Sequence, residues 1–209
     1  KELVEATTGG TTYDVVSWVD AWGEALKPYL LPLNSRIKAD GINLKDYPNA
    51  YIQASTDSKG NIIGVPFRGH PLVLFYRKDV FKDLRLPVPR TWQAVVDTAQ
   101  IIQKRKPGMV GLSAMYGVNA GQNLFSWVSM LWGNGGDILD KTGHPIFNNA
   151  KGVQATQLYI DMLRKDKIVP AAATTFGETE SSNQILQGKA AMWVGWWWYW
   201  SQFSDPKAV

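Results

Sequence analysis

The sequence predicts an α/β fold, and three observations carry that prediction. Short apolar runs of β-prone residues alternate with longer segments whose apolar residues recur at helical spacing. Helix start and stop residues sit where one pattern gives way to the other. The 209 residues are 45% apolar and 19% charged, an ordinary globular balance that suits one large domain or two small ones.

Taken in order, Asp14 to Trp18 has the pattern of a short buried strand behind a Gly-Gly-Thr-Thr turn. From Gly23 to Leu33 only a short helix is expected, because Pro28 and Pro32 break it. Asp57 to Asn61 is a turn by composition, and Ile62 to Phe67 follows as a strand. Leu72 to Tyr76 is a second strand, bounded by Pro71 and Lys78. Thr91 caps a helix with Val95, Val96, Ala99 and Ile102 on one face, and Lys104-Arg105-Lys106 suits its C-terminal dipole before Pro107-Gly108. Met109 to Met115 reads as a strand and Leu124 to Trp132 as a buried helix, with Trp127 and Trp132 in the core. Ile138 to Gly143 forms a tight turn that leads to Pro145-Ile146-Phe147. Asn149 caps a helix to about Lys165, whose apolar positions are Val153, Leu158, Ile160 and Leu163. A helix from Glu178 to Gln187 stops at Gly188. Ala190 to Val194 is the final strand, broken by Gly195.

Composition also excludes functions. There is no Cys, hence no disulfide, thiolate metal site or cysteine nucleophile. The two histidines, His70 and His144, lie far apart in sequence, so no metal site is expected. No run of 18 apolar residues exists to span a membrane. The net charge of +4 is scattered apart from Lys104-Arg105-Lys106, which gives no footing for nucleic-acid binding. No nucleophile elbow, triad or phosphate-binding glycine loop appears, and no cofactor is expected.

The most unusual stretch is residues 193–200, where five of the ten tryptophans fall within eight residues, with Tyr199 among them. An indole is flat and apolar on its faces and carries one N–H at its edge. Five such rings around a turn do not all point into one core. Trp193, inside the strand, is read as core; others are expected to wall a cavity. A sugar ring, with C–H groups on its faces and hydroxyls on its rim, suits such a wall.

Several segments, in order, resemble the family 1 extracellular solute-binding proteins of ABC importers. These are Tyr13 to Asp20, Gly60 to Phe67, Leu74 to Phe81 with Pro89-Arg90-Thr91-Trp92, Gly133 to Gly136, Phe147-Asn148-Asn149, and Gln187 to Met192. The resemblance implies a periplasmic-binding-protein-like class II fold, two α/β lobes closing on a sugar or polyol. It also implies a periplasmic or other extracytoplasmic location, lipid-anchored or soluble, and ABC transporter permease subunits as partners. Residues 1–71 would be part of lobe one and 72–209 lobe two, with a crossing near Arg68 to Pro71. The chain is expected to be a fragment, incomplete at both ends, that self-associates and binds sugar poorly or not at all.

The expected ligand-binding residues lie in loops at strand ends, where α/β sheets place ligands. Trp18 and Asp20 resemble the family's aromatic wall and hydroxyl-binding carboxylate. Core packing competes for Trp18, and helix N-capping for Asp20. Arg68 and His70 follow the 62–67 strand, in a segment where the family places polar contacts; pairing with a surface acid is the other reading of Arg68. Gln122 and Asn123 offer amides that both donate and accept, although Asn123 also fits a helix cap. Trp198 aligns with the family's stacking platform, and Trp196 is the next candidate. Two other classes were weighed: a glycoside hydrolase fragment pairing Asp20 with Asp137 or Asp140, and a tryptophan-rich carbohydrate-binding module, which would be all-β.

Overall fold

The computed structural model describes residues 2–10, 12–17, 23, 25–118 and 121–204. The chain divides into two compact units, Lys1–Gly69 and His70–Val209.

The first unit is built from short helices: α1 (Glu2–Thr8), α2 (Asn34–Ala39) and α3 (Asn49–Ala54). Leu26, Ile37 and Ile63 are its buried apolar residues. The turn at 57–61 forms as composition predicts: Asp57 Oδ1 accepts from the backbone N–H of Lys59 and of Asn61, both at 2.8 Å. Gly60 takes φ 82°, a left-handed conformation that costs glycine little.

The second unit holds a three-stranded sheet, β1 (Leu72–Tyr76), β2 (Val110–Ser113) and β3 (Ala190–Trp196), in the order β1-β3-β2. β3 runs antiparallel to β1 and parallel to β2. All seven residues of β3 are buried, so its unbroken apolar run is what a central strand requires. Around it lie α4 (Lys78–Leu84), α5 (Trp92–Arg105), α6 (Gln122–Gly133), α7 (Ala150–Arg164), α8 (Glu178–Leu186) and the short α9 (Trp200–Phe203). Thr91 caps α5 by accepting from Ala94 N at 3.1 Å, and Asn149 caps α7 through Lys151 N and Gly152 N. The main core joins Val95, Val96, Ala99 and Ile102 of α5 to Leu112, Ala191 and Met192 of the sheet. A second cluster holds Met115, Ile185, Trp193, Trp196 and Tyr199.

Several elements differ from expectation. Asp14 to Ser17 forms no strand, and Val15 is 88% exposed. Strand conformation persists where backbone groups find a partner, and among the described residues the first unit has only the single bridge Thr56–Ile62. For the same reason Ile62 to Phe67 is an extended loop that pairs only at Ile62, with Phe67 78% exposed. Ala114 and Met115 are buried but lie past the end of β2. Gly195 does not break β3. It pairs with Val73 inside the ladder, and a Cβ there would overlap the indole of Trp193. Trp132 is not core: it is 59% exposed and donates to Asp137 Oδ1 at 3.2 Å. On α7 the buried positions are Gly152, Ala155 and Met162, whereas Val153 and Ile160 face solvent.

Candidate functional site

The end of β3 builds an aromatic cluster. Register does most of the positioning. Leu72 pairs with Trp196, and Trp197 N donates to Pro71 O at 3.3 Å, so the residue before Pro71 is held beside the end of β3. That residue is His70. Its ring meets Trp198 edge-on at 4.9 Å and Trp196 at 6.4 Å. After Trp196 the chain enters a 3₁₀ turn, Trp197–Tyr199. This brings the rings of Trp196 and Trp198 parallel, 5.3 Å apart with an interplanar angle of 8°. Phe125 of α6 packs its edge on Trp196 at 5.0 Å. Trp196 is buried, Trp198 half-buried and His70 exposed, so the cluster reaches from the core to solvent.

Polar atoms lie at its edge. Gln122 opens α6, one helical turn before Phe125 and therefore on the same face. Its Nε2 donates to Glu178 Oε1 at 3.4 Å, while its Oε1 is buried with no hydrogen-bond partner among the described residues. The Nε1 of Trp196 is likewise buried and unpartnered. Native proteins seldom leave such atoms unpaired without a water or ligand to meet them. Here one is an acceptor and the other a donor, a pairing that a hydroxyl satisfies from either side. Tyr199 lies against Glu178, Thr179 and Ser182, and burial raises its phenol pKa above the ordinary value.

The remaining expected residues are placed as follows. Trp18 and Asp20 lie outside the described residues. Arg68 belongs to the first unit, is exposed, and sets its guanidinium carbon 5.1 Å from the centroid of the Phe67 ring. Asn123 is not the cap of α6. Gly121, at φ 72°, holds that position, and the Asn123 backbone N–H donates to Gly117 O at 3.0 Å. The second unit thus brings together His70, Trp196 and Trp198, with Tyr199 of the same aromatic stretch and with Phe125 and Glu178 as members that motif reading missed. Of these only Phe125 had a signal, its i,i+3 spacing from Gln122.

Two carboxylates weighed as catalytic acids are engaged in local turns. Asp137 Oδ1 accepts from Ile138 N at 2.8 Å. Asp140 Oδ1 accepts from Thr142 N, Thr142 Oγ1 and His144 N, and the Thr142 hydroxyl is the foremost cause of its lowered pKa. Among the described residues no group of three or more His, Asp or Glu could hold a metal ion. The helices set aside the all-β binding-module reading.

Comparison with known proteins places this arrangement. A probable ABC transporter-binding protein of Deinococcus radiodurans is 31% identical over 208 residues, which cover 93% of this chain and 47% of that protein. The maltose-bound MalE3 of T. maritima superposes with a TM-score of 0.86 at 25% identity, over 99% of this chain and 52% of its own. A solute-binding protein of Agrobacterium radiobacter in complex with ribitol gives 0.78 at 27% identity, over 99% and 51%. The chain thus spans about half the length of the relatives it matches. The fold is that of MalE-like periplasmic binding proteins, partial and of mixed α/β content. The model of the family described as bacterial extracellular solute-binding protein matches residues 1–209, so the chain belongs to that family.

Proposed function

We propose that the Trp196–Trp198 pair is one wall of a carbohydrate or polyol site, in a protein that hands its ligand to the permease subunits of an ABC importer outside the cytoplasm. The observation that carries this reading is the parallel indole pair at a strand end, reaching from the buried Trp196 to the half-buried Trp198. Flat apolar faces meet the C–H faces of a sugar, and the polar atoms at the edge of the cluster meet its hydroxyls. The maltose and ribitol held by the two solved relatives belong to the same ligand class.

The same reading makes residues 1–71 part of one lobe and 72–209 the other. Trp18, Asp20, Arg68 and His70 would then supply contacts from the first, and Gln122 and Asn123 from the second. In this reading the protein binds without catalysis, and Asp137 and Asp140 serve their local turns. Titration of the full-length protein with maltose and with ribitol, followed by intrinsic tryptophan fluorescence, tests the proposal. The expected result is a saturable change with at least one of them and no glucose release from maltose. A folded protein that responds to neither, or that hydrolyses maltose, would overturn it.

Self-association also follows. β1 and β2 are the outer strands of the sheet, and a strand edge is a template for another chain. Trp132 and Trp200 add exposed indole, 59% and 63% accessible. Light scattering over a concentration series is expected to show the mean mass rising with concentration. A constant monomer mass refutes self-association.

A further inference from the structure

The end of the sheet opposite the aromatic cluster is strongly basic, and its charge serves neither the ligand nor the core. Four helix C-termini meet there, those of α4, α5, α7 and α8. α4 ends with Lys82 and Arg85, stitched to the end of α5 by Arg105 Nη1 donating to Leu84 O at 3.4 Å and by the Lys106–Asp83 ion pair at 2.7 Å. α7 ends with Arg164, Lys165 and Lys167, joined to α5 by Gln103 Nε2 donating to Lys167 O at 3.2 Å. Lys189, just ahead of β3, accepts through its carbonyl from Val110 N at 2.8 Å and brings the start of both parallel strands to the same end. With Lys104, and with Arg77 and Lys78 where β1 ends beside Ala191, this makes eleven cations, all exposed except the half-buried Arg77 and Lys106, against four carboxylates, Asp79, Asp83, Asp161 and Asp166.

The balance decides whether this is more than helix-end chemistry. Each helix C-terminus carries about −0.5 of a charge, so four account for about −2. The end carries a net +7, more than three times that. Residues 70–209 as a whole hold fifteen Lys and Arg against ten Asp and Glu, a net +5, so the rest of the unit is weakly acidic. Three of the four carboxylates are already paired, Asp79 with Arg77 and Asp83 with Lys106, both at 2.7 Å, and Asp161 with Lys165 at 3.9 Å. Nor does the charge serve the aromatic cluster. β3 is seven residues long, about 20 Å, more than twice the Debye length of about 8 Å at physiological salt.

We infer that this end docks on an anionic membrane surface, held by lipid phosphate headgroups. The family is extracellular, which leaves the bilayer as an extended polyanion and removes nucleic acid as a resident partner. Exposed Lys and Arg near an anionic leaflet each strengthen binding about fivefold, and the effect decays within a Debye length. Docked this way, the second unit keeps the Trp196–Trp198 end turned toward solvent. Held near the bilayer, it has a raised effective concentration for any membrane partner.

Co-sedimentation with large vesicles tests this independently of any sugar. The protein is expected to pellet with phosphatidylcholine vesicles containing phosphatidylglycerol at low salt, and not with pure phosphatidylcholine or at high salt. Lys82→Gln, Lys104→Gln and Arg164→Gln together are expected to weaken binding on the order of a hundredfold, with an unchanged melting curve. Lys141→Gln, outside this cluster, is expected to leave binding unchanged. Three results would overturn the inference: no pelleting with anionic vesicles, equal pelleting with neutral ones, or a triple variant that binds like the parent. Binding to a DNA duplex without binding to vesicles would likewise overturn it, in favour of a nucleic-acid surface.

Discussion

Trp193→Ala is expected to destabilise the second unit by about 3–5 kcal/mol, the range for truncating a large aromatic in a packed core. The side chain is fully buried. It stacks on Phe75 at 5.3 Å and receives the edges of Tyr199 at 4.9 Å and Phe203 at 5.5 Å. Its Nε1 donates to Ser181 Oγ at 3.0 Å, and the same hydroxyl donates to Gly177 O. Truncation therefore opens a cavity between β1, β3 and α8 and leaves a buried hydroxyl with one partner fewer. The cavity does not collapse easily, because the Gly195 backbone already lies against the ring and β3 is pinned by strands on both sides. A domain stable by 5–15 kcal/mol loses a large part of its margin at that cost. Urea midpoints followed by circular dichroism measure it. A loss below about 1 kcal/mol would show that the ring is not a keystone of this core.

Features settled by local chemistry were legible in the sequence. The caps at Thr91 and Asn149, the stop at Gly188, and the turns around Asp57 and Asp140 each depend on residues within four positions of one another. The two strands expected at 14–18 and 62–67 had the right local character, but among the described residues of these segments only Ile62 finds a strand partner, Thr56. Pairing is a nonlocal property that no window reveals. On α7 the error came from equating bulk with burial. Gly152 and Ala155 face inward because the helix lies against the chain at Phe147, whose carbonyl occupies the space a Cβ on Gly152 would need. Small residues mark that contact, and the larger Val153 and Ile160 are left outside.

The site divides in the same way. The density of tryptophan at 193–200 pointed to it, and the strand position of Trp193 separated core from surface. The union of His70 with Trp196 and Trp198 rests on the register of β1 against β3, across more than a hundred residues of chain. Phe125 and Glu178 come from helices whose docking only the fold determines. The residues of the first unit answer to a different constraint. Arg68 lies beside Phe67 there, with its own environment.

The largest functional effect is expected at Trp198. Under the proposed function, Trp198→Ala weakens sugar or polyol binding by about 1–3 kcal/mol, the range for removing a desolvated aromatic contact. The ring is half-buried, stacked on Trp196 at 5.3 Å, with the His70 ring perpendicular to it at 4.9 Å. A platform held this way loses little further freedom when a ligand stacks on it, so most of the contact energy appears as affinity. Truncation also removes the support under His70 and one face of the cover on Trp196, which adds to the loss. Trp200→Ala is the comparison. That ring is 63% exposed and lines a different cavity, with Phe75 and Ile185, so its removal is expected to leave affinity unchanged. Calorimetric titration of both variants of the full-length protein with maltose and ribitol, alongside melting curves, separates binding from folding. Unchanged affinity in a folded Trp198→Ala protein would remove this ring from the site. Equal losses at Trp198 and Trp200 would point to a general weakening of the 193–200 segment instead of a stacking platform.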